Sequence, residues 1–354
     1  MSHPSWDESM SDALGRIDTR LANEPPMHPW ADELSVALAA VRTAAGICQA
    51  VQAAITPEVL DKKDNSPVTV ADFASQAVIC HAIGEAFASD PVIAEEDSLA
   101  LHQAENVGFL HEIHALIQHH YRAASTDEIC HWIDRGGAKE YSARFWTLDP
   151  IDGTKGFLRR DQYAISLALI VDGQLELGIL GCPNLGTKSQ SGNSLFYAIR
   201  GHGAFATRLS VGSQTQAIRV TQTSDPKLAR FCESFESGHS SHNESAQIAD
   251  ELGITTNPVR MDSQAKYAMV ASGEADVYLR LPTKIGYFEK IWDHAGGVLI
   301  VQEAGGKVTD LLGKPLDFSH GRELRQNRGV IATNGLLHEA VLSAAQSVVA
   351  LKAD

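Results

Sequence analysis

Cysteine is scarce in this chain, and what there is has no metal-binding or redox spacing. The five residues, Cys48, Cys80, Cys130, Cys182 and Cys232, are widely separated, odd in number and free of any CxxC. That argues against a disulfide framework and a zinc site, and for reduced thiols in a cytoplasmic setting. A run of about 18 apolar residues is also missing, which argues against a membrane span. The N-terminus is too polar and too acidic for a signal or transit peptide. Positive charge is in short supply: 29 Lys and Arg stand against 44 Asp and Glu, for a net charge of −15. A broad nucleic-acid surface is thereby excluded. An acidic protein that binds an anion needs local cations, either metal ions or a few placed Lys and Arg. No internal repeat is visible.

What is present suits an α/β protein: 44% hydrophobic residues and 28 glycines in 354 residues, enough chain for two domains. Its chemistry concentrates in Trp146-Thr147-Leu148-Asp149-Pro150-Ile151-Asp152-Gly153-Thr154-Lys155. Phe145 to Leu148 reads as a short buried strand that stops at Asp149-Pro150, because proline removes a backbone donor. Gly153 lets the chain reverse. Two carboxylates at a strand end, beside a hydroxyl and a lysine, suit a hard divalent cation such as magnesium. Solvated acids on a capped turn read equally well from Asp149 and Asp152 alone.

Along the chain, residues 1–30 form an extension of weak helical character ending in a Pro-rich linker, expected to be poorly ordered. Residues 31–215 and 216–354 then form an N-terminal α+β domain and a C-terminal α/β domain. Leu34, Leu38, Val41, Ala45, Cys48, Val51 and Ile55 recur at helical spacing. A second helix is entered near Asp72, which reads either as a cap or as a functional acid. Pro91-Val92-Ile93-Ala94 is a short strand ending in Glu95-Glu96-Asp97-Ser98, again acids at a strand terminus. The pairs His111/His114 and His119/His120 lack a third ligand and fit a solvated helix face. Tyr163–Val171 and Gln174–Leu180 form a hairpin across Asp172-Gly173, followed by a strand at Leu195–Ile199. Strands and helices alternate from Phe231 onward, and the helix Ala295–Ala304 stops at Gly305-Gly306. Such alternation implies sheets covered by helices.

Taken together, these motifs resemble a known group. Glu95-Glu96, Asp149-Pro150-Ile151-Asp152-Gly153-Thr154 and Trp292-Asp293-His294-Ala295-Gly296 are similar to the lithium-sensitive, magnesium-dependent phosphatase superfamily of inositol monophosphatase and fructose-1,6-bisphosphatase. Asp64-Asn65-Ser66-Pro67-Val68-Thr69, Gly238-His239-Ser240-Ser241-His242, Met261-Asp262-Ser263-Gln264-Ala265-Lys266-Tyr267 and Asp276-Val277-Tyr278-Leu279-Arg280 narrow the resemblance to 3′(2′),5′-bisphosphate nucleotidases. It runs from about Asp61 to Asn334, with Ala94 where the family has glycine.

The resemblance implies a two-domain, five-layer α-β-α-β-α sandwich with the site between the domains. It implies two or three Mg2+ held by Glu95, Asp149, the Ile151 carbonyl, Asp152 and Asp293. Asp72 and Thr154 would activate water, and Thr154, His239, Ser263, Lys266, Arg280 and Asp293 would contact the nucleotide. The implied reaction removes the 3′-phosphate of adenosine 3′,5′-bisphosphate to leave AMP, and extends to 3′-phosphoadenosine 5′-phosphosulfate. The implied partner is a small-molecule nucleotide, with no nucleic acid or membrane partner, bound by a monomer. Two other readings compete: an inositol polyphosphate 1-phosphatase, and a nucleotide-binding regulator with a dead site. The second has no use for the Asp72–Thr154 pair.

Overall fold

The computed structural model describes residues 28–55, 66–103, 106–186, 192–235, 242–282 and 286–350. The helical spacing after Leu34 gives helix α1, Ala31–Ala54. By length and composition α1 is apolar enough to cross a membrane. Here it is a core helix: Ala37, Val41, Ala44, Ala45 and Cys48 are fully buried. Helix α2 spans Ser66–Ala86 and packs along α1. It starts well before Asp72, with Pro67 in a first turn that needs no N–H from it. Asp72 therefore lies inside the helix and is not its cap.

Strands β1 (Val92–Ala94), β2 (Arg144–Asp152), β3 (Ala164–Val171), β4 (Gln174–Cys182), β5 (Ser194–Ile199), β6 (Gly203–Arg208) and β7 (Gln216–Ile218) form one seven-stranded sheet in chain order. Only β1 and β2 run parallel; the other neighbours are antiparallel. Asp172 and Gly173 both have positive φ, 49° and 76°, as the expected two-residue turn requires. Between β1 and β2 lie α3 (Val107–Gln118) and α4 (Thr126–Asp134). Helix α4 is absent from the sequence reading, although its capping box is explicit: the Ser125 N–H donates to Glu128 Oε2 at 2.8 Å, and the Glu128 N–H to Ser125 Oγ at 3.3 Å.

The second sheet has the order β11-β12-β10-β8-β9, from β8 (Phe231–Glu233), β9 (Val259–Arg260), β10 (Val277–Arg280), β11 (Lys307–Thr309) and β12 (Val330–Thr333). Its helices are α6 (His242–Glu251), α7 (Ala265–Ala271), α8 (Ala295–Glu303) and α9 (His338–Ala350), with short α5 (Thr154–Leu158) following β2. The layers follow from three cores. One joins α1 and α2 to the first sheet. The second joins that sheet to α7 and α8, which also face the second sheet. The third packs α6 and α9 on the second sheet's far side. The result is the expected α-β-α-β-α sandwich.

Three expectations are corrected. Strand β2 does not stop at Pro150 but runs to Asp152. Its pairing with β3 shifts between Asp149↔Ser166 and Asp152↔Ala164, a bulge that removes the need for a proline N–H. Strand β7 pairs with β6, so the first sheet continues past residue 215. The expected extension is packed at its end: Trp30 Nε1 donates to Glu176 Oε2 at 3.0 Å, and the Arg144 guanidinium lies 5.5 Å from the Trp30 ring. Residues 1–27 lie outside the described residues.

Candidate active site

Elements from both sheets end at one cleft of about 410 Å³. Glu95 follows β1, Asp149 and Asp152 close β2, and Thr154 opens α5. Asp293 ends the 3-10 turn Ile291–Asp293 that feeds α8. All five border the cleft, as does Ile151. The Ile151 side chain belongs to the first core, so its backbone is what meets the cleft. Gly153 holds φ at 90°, and a Cβ there would come within 3.0 Å of Ser263 Cβ. The acid-bearing turn thus sits directly on the second half of the chain. Asp72 does not line the cleft; it is buried behind Glu95 and Asp149, close enough to shift Asp149's titration.

These acids repel. Burial, then Glu95, Asp152, Asp293 and Asp72, raise the Asp149 carboxyl far above the usual range. Asp149 is 1% exposed, and its Oδ1 is buried without a hydrogen-bond partner. Burial followed by Glu96 and Glu95 raises Asp72 as well. Glu95 is pushed up to about 8 by desolvation, then by Asp293, Glu96 and Asp152. Its side chain also meets cleft solvent. Burial raises Asp152 and Asp293 too, opposed at Asp152 by Lys266 and Arg280 and at Asp293 by Arg280. An orphaned buried carboxylate oxygen among converging acids is a donor set made for cations. Oxygen-only ligands fit magnesium, which takes one or two carboxylates each.

Ser263, Lys266 and Arg280 also line the cleft. Ser263 precedes α7 with φ at 70°, and its Oγ accepts from the Ala265 N–H at 3.1 Å. Lys266 is only 2% exposed. Its Nζ donates to the Ser263 and Met261 carbonyls at 2.7 and 3.3 Å, and lies 5.2 Å from the Tyr278 ring centre. Burial lowers its pKa, opposed by Asp152. Lys266 therefore braces the Met261–Ser263 turn while placing positive charge beside Asp152. Arg280 ends β10, and its guanidinium lies 2.8 Å from Glu289 and 3.6 Å from Asp293. His239 lies outside the described residues.

Two residues had not been singled out. The Gln264 N–H donates to Asp152 Oδ2 at 2.6 Å, and its side-chain amide bridges Ser166, the Trp292 carbonyl and the Gly297 N–H. Its signal lay in the Met261–Tyr267 motif itself. Glu289 is held by Arg280 and by buried His294, whose Nε2 lies at 3.3 Å. Burial acts to raise Glu289, but His294 and Arg280 outweigh it and hold the carboxyl at about 2. Glu289, Asp293 and His294 each offer a ligand atom within 4.8 Å of the others. The Arg280 guanidinium is the cation that already answers this trio.

Comparison with known proteins agrees with this architecture. A profile of the inositol monophosphatase family matches residues 31–350. A 3′(2′),5′-bisphosphate nucleotidase of Schizosaccharomyces pombe is 42% identical over 340 residues, covering 89% of this chain and 95% of that protein. One from Oryza sativa is 44% identical over 344 residues, covering 91% and 96%. Among solved structures, a Thermotoga maritima IMPase superposes with a TM-score of 0.61 at 22% identity, covering 90% of this chain and 99% of that one. An inositol monophosphatase from Anabaena gives 0.57 at 21%, covering 93% and 100%. With a matching profile over nearly the whole described chain, two relatives above 40% identity and the five-layer fold, this chain belongs to the inositol monophosphatase family.

Proposed function

We propose that the chain is a magnesium-dependent phosphatase that removes the 3′-phosphate of adenosine 3′,5′-bisphosphate, leaving AMP. The observation that carries this reading is the cleft itself, where crowded carboxylates are lined up with two cationic side chains, Lys266 and Arg280. The names of the relatives above 40% identity support the nucleotide as substrate. Glu95, Asp149, the Ile151 carbonyl, Asp152 and Asp293 would hold Mg2+, and so many donors suit two or three ions. When bound, these ions would neutralise the phosphoryl oxygens and polarise the phosphorus centre as Lewis acids.

The residues of the chain do the rest. Thr154 Oγ, exposed to the cleft, takes a proton from the attacking water and passes its own towards Asp72. A threonine hydroxyl is too weakly acidic to serve alone, so this reading gives Asp72 the role of the carboxylate that accepts its proton. The water oxygen bonds to phosphorus, the bond from phosphorus to the 3′-oxygen breaks, and that oxygen is protonated from solvent. Arg280 faces the phosphate at the far end of the nucleotide, where a planar guanidinium suits bidentate contact. 3′-Phosphoadenosine 5′-phosphosulfate presents the same 3′-phosphate and is a second substrate on this reading.

The test is phosphate release by the purified protein in Mg2+ from adenosine 3′,5′-bisphosphate and from an inositol polyphosphate. Faster release from the nucleotide is expected. Preference for the inositol compound would move the assignment to an inositol polyphosphate phosphatase. No release from either, with the nucleotide still bound, would leave a regulator.

A further inference from the structure

Strand β1 is three residues long, and its ladder with β2 ends at Ala94↔Leu148. Glu95 and Glu96 lie beyond it, where the sheet no longer fixes their backbone. Gln76 on α2 takes over. The Glu96 N–H donates to Gln76 Oε1 at 3.1 Å, and Gln76 Nε2 donates to the Glu96 carbonyl at 2.7 Å and the Ile133 carbonyl at 2.9 Å. One side-chain amide thus meets both backbone groups of Glu96, as a neighbouring strand would. The approach is tight: a Cβ at Gly136 would lie 2.6 Å from Gln76 Nε2 and 2.7 Å from Ala94 Cβ.

The neighbouring residue does the same for the other acid-bearing segment. Ser75 Oγ donates to the Pro150 carbonyl at 3.0 Å, inside the bulge where β2 skips its pairing with β3. Ile151, the next residue, borders the cleft, so the contact from Ser75 holds the bulge directly beside the carbonyl that faces the acids. Ser75 and Gln76 are both fully buried. Asp72, Ser75 and Gln76 stand at positions i, i+3 and i+4, one face of one helix.

We propose that Ser75 and Gln76 are positioning residues that fix the spacing of Glu95–Glu96 against Asp149–Asp152, and so set how tightly the centre takes a divalent cation. This rests on the metal-dependent reading above. The alternative is that both side chains merely satisfy buried backbone groups.

The test uses the full chain with Gln76→Met, which keeps the volume and removes the amide, and Ser75→Ala, which removes one hydrogen bond. Thr309→Val, in the second sheet, serves as a stability control. The readout is the Mg2+ midpoint of cation-induced thermal stabilisation without substrate, alongside kcat and KM at saturating Mg2+. Loss of a group that orients metal ligands costs ~10- to 100-fold in metal affinity, and Gln76→Met is expected to raise the midpoint on that scale. Ser75→Ala is expected to raise it less, with the nucleotide KM unchanged in both variants. Thr309→Val is expected to lower the Tm and leave the midpoint alone. Wild-type midpoints in folded Gln76→Met and Ser75→Ala would overturn the proposal. Should Gln76→Met not fold, Ser75→Ala decides by the same criterion. A wild-type protein that neither responds to Mg2+ nor releases phosphate would overturn both this proposal and the functional reading; failure of the variants alone overturns only this one.

Discussion

Arg280 meets two acids at once, Glu289 at 2.8 Å and Asp293 at 3.6 Å. It lies on the cleft wall among groups that would otherwise repel an anionic substrate. Arg280→Ala is expected to weaken binding of adenosine 3′,5′-bisphosphate by roughly 2–5 kcal/mol, the scale for breaking a desolvated charge pair. The effect on adenosine 3′-monophosphate should be much smaller. Steady-state kinetics on both substrates check this, and equal losses would show that Arg280 does not read the second phosphate. The acids of the cleft were legible in the sequence because carboxylates at strand ends have few uses other than holding cations or capping. Lys266 was legible as a residue but not as an environment. A lysine in a short helix reads as exposed, and only the packing of the Met261–Ser263 turn buries it. The Glu289 partner of Arg280 carried no periodic or motif signal of its own.

Helix α8 shows how an element can be read from sequence while its role cannot. Its apolar run and terminal glycines mark it plainly, and Gly305 leaves it with φ at 92°. Nothing in that run says that the helix lies between two sheets. Gly297 reveals the closeness: a Cβ there would overlap the ring of fully buried Tyr267, which hydrogen-bonds His294 through its hydroxyl at 2.7 Å. Gly297→Ala is expected to cost about 1–3 kcal/mol by overpacking, read as a lower Tm in thermal denaturation. A wild-type Tm would show that α7 and α8 separate without cost. Strand β2 makes the complementary point. Proline is a reasonable stop signal, but a bulge places Pro150 where the ladder has no use for an N–H. The short strand β7 was hidden by the polar stretch around it, because it lies at the sheet edge and its side chains meet solvent.

At the scale of the molecule, the five layers were accessible only through the resemblance, since alternating strands and helices imply covered sheets without fixing their order. The middle layer, α7 and α8, packs against both sheets. Stability far from the cleft has its own pH dependence. His338 is fully buried, with Nε2 at 2.9 Å from Thr309 Oγ1 and Nδ1 at 3.0 Å from Thr333 Oγ1. Burial, then Lys307, lowers its pKa from 6.5 to about 4. The folded state therefore holds His338 neutral where the unfolded chain would protonate it. Its contribution is full above pH 6.5 and is lost as pH falls towards about 4. His338→Gln should flatten the decline of Tm across that window relative to wild type, and an unchanged slope would contradict the assignment.

The central claim is that the buried carboxylates at the end of β2 exist to hold catalytic cations. Asp149→Asn tests it most directly, because one substitution separates chemistry from stability. Phosphate release from adenosine 3′,5′-bisphosphate in Mg2+ should fall by about a hundredfold or more, the scale at which one lost electrostatic contact to developing charge is felt. Without metal, the Tm of the variant should equal or exceed that of wild type, because one of several mutually repelling carboxylates is gone. The two readouts belong in one experiment, wild type and Asp149→Asn side by side, with Mg2+ and with chelator. Turnover retained in the variant, or wild-type turnover unaffected by the chelator, would contradict the account.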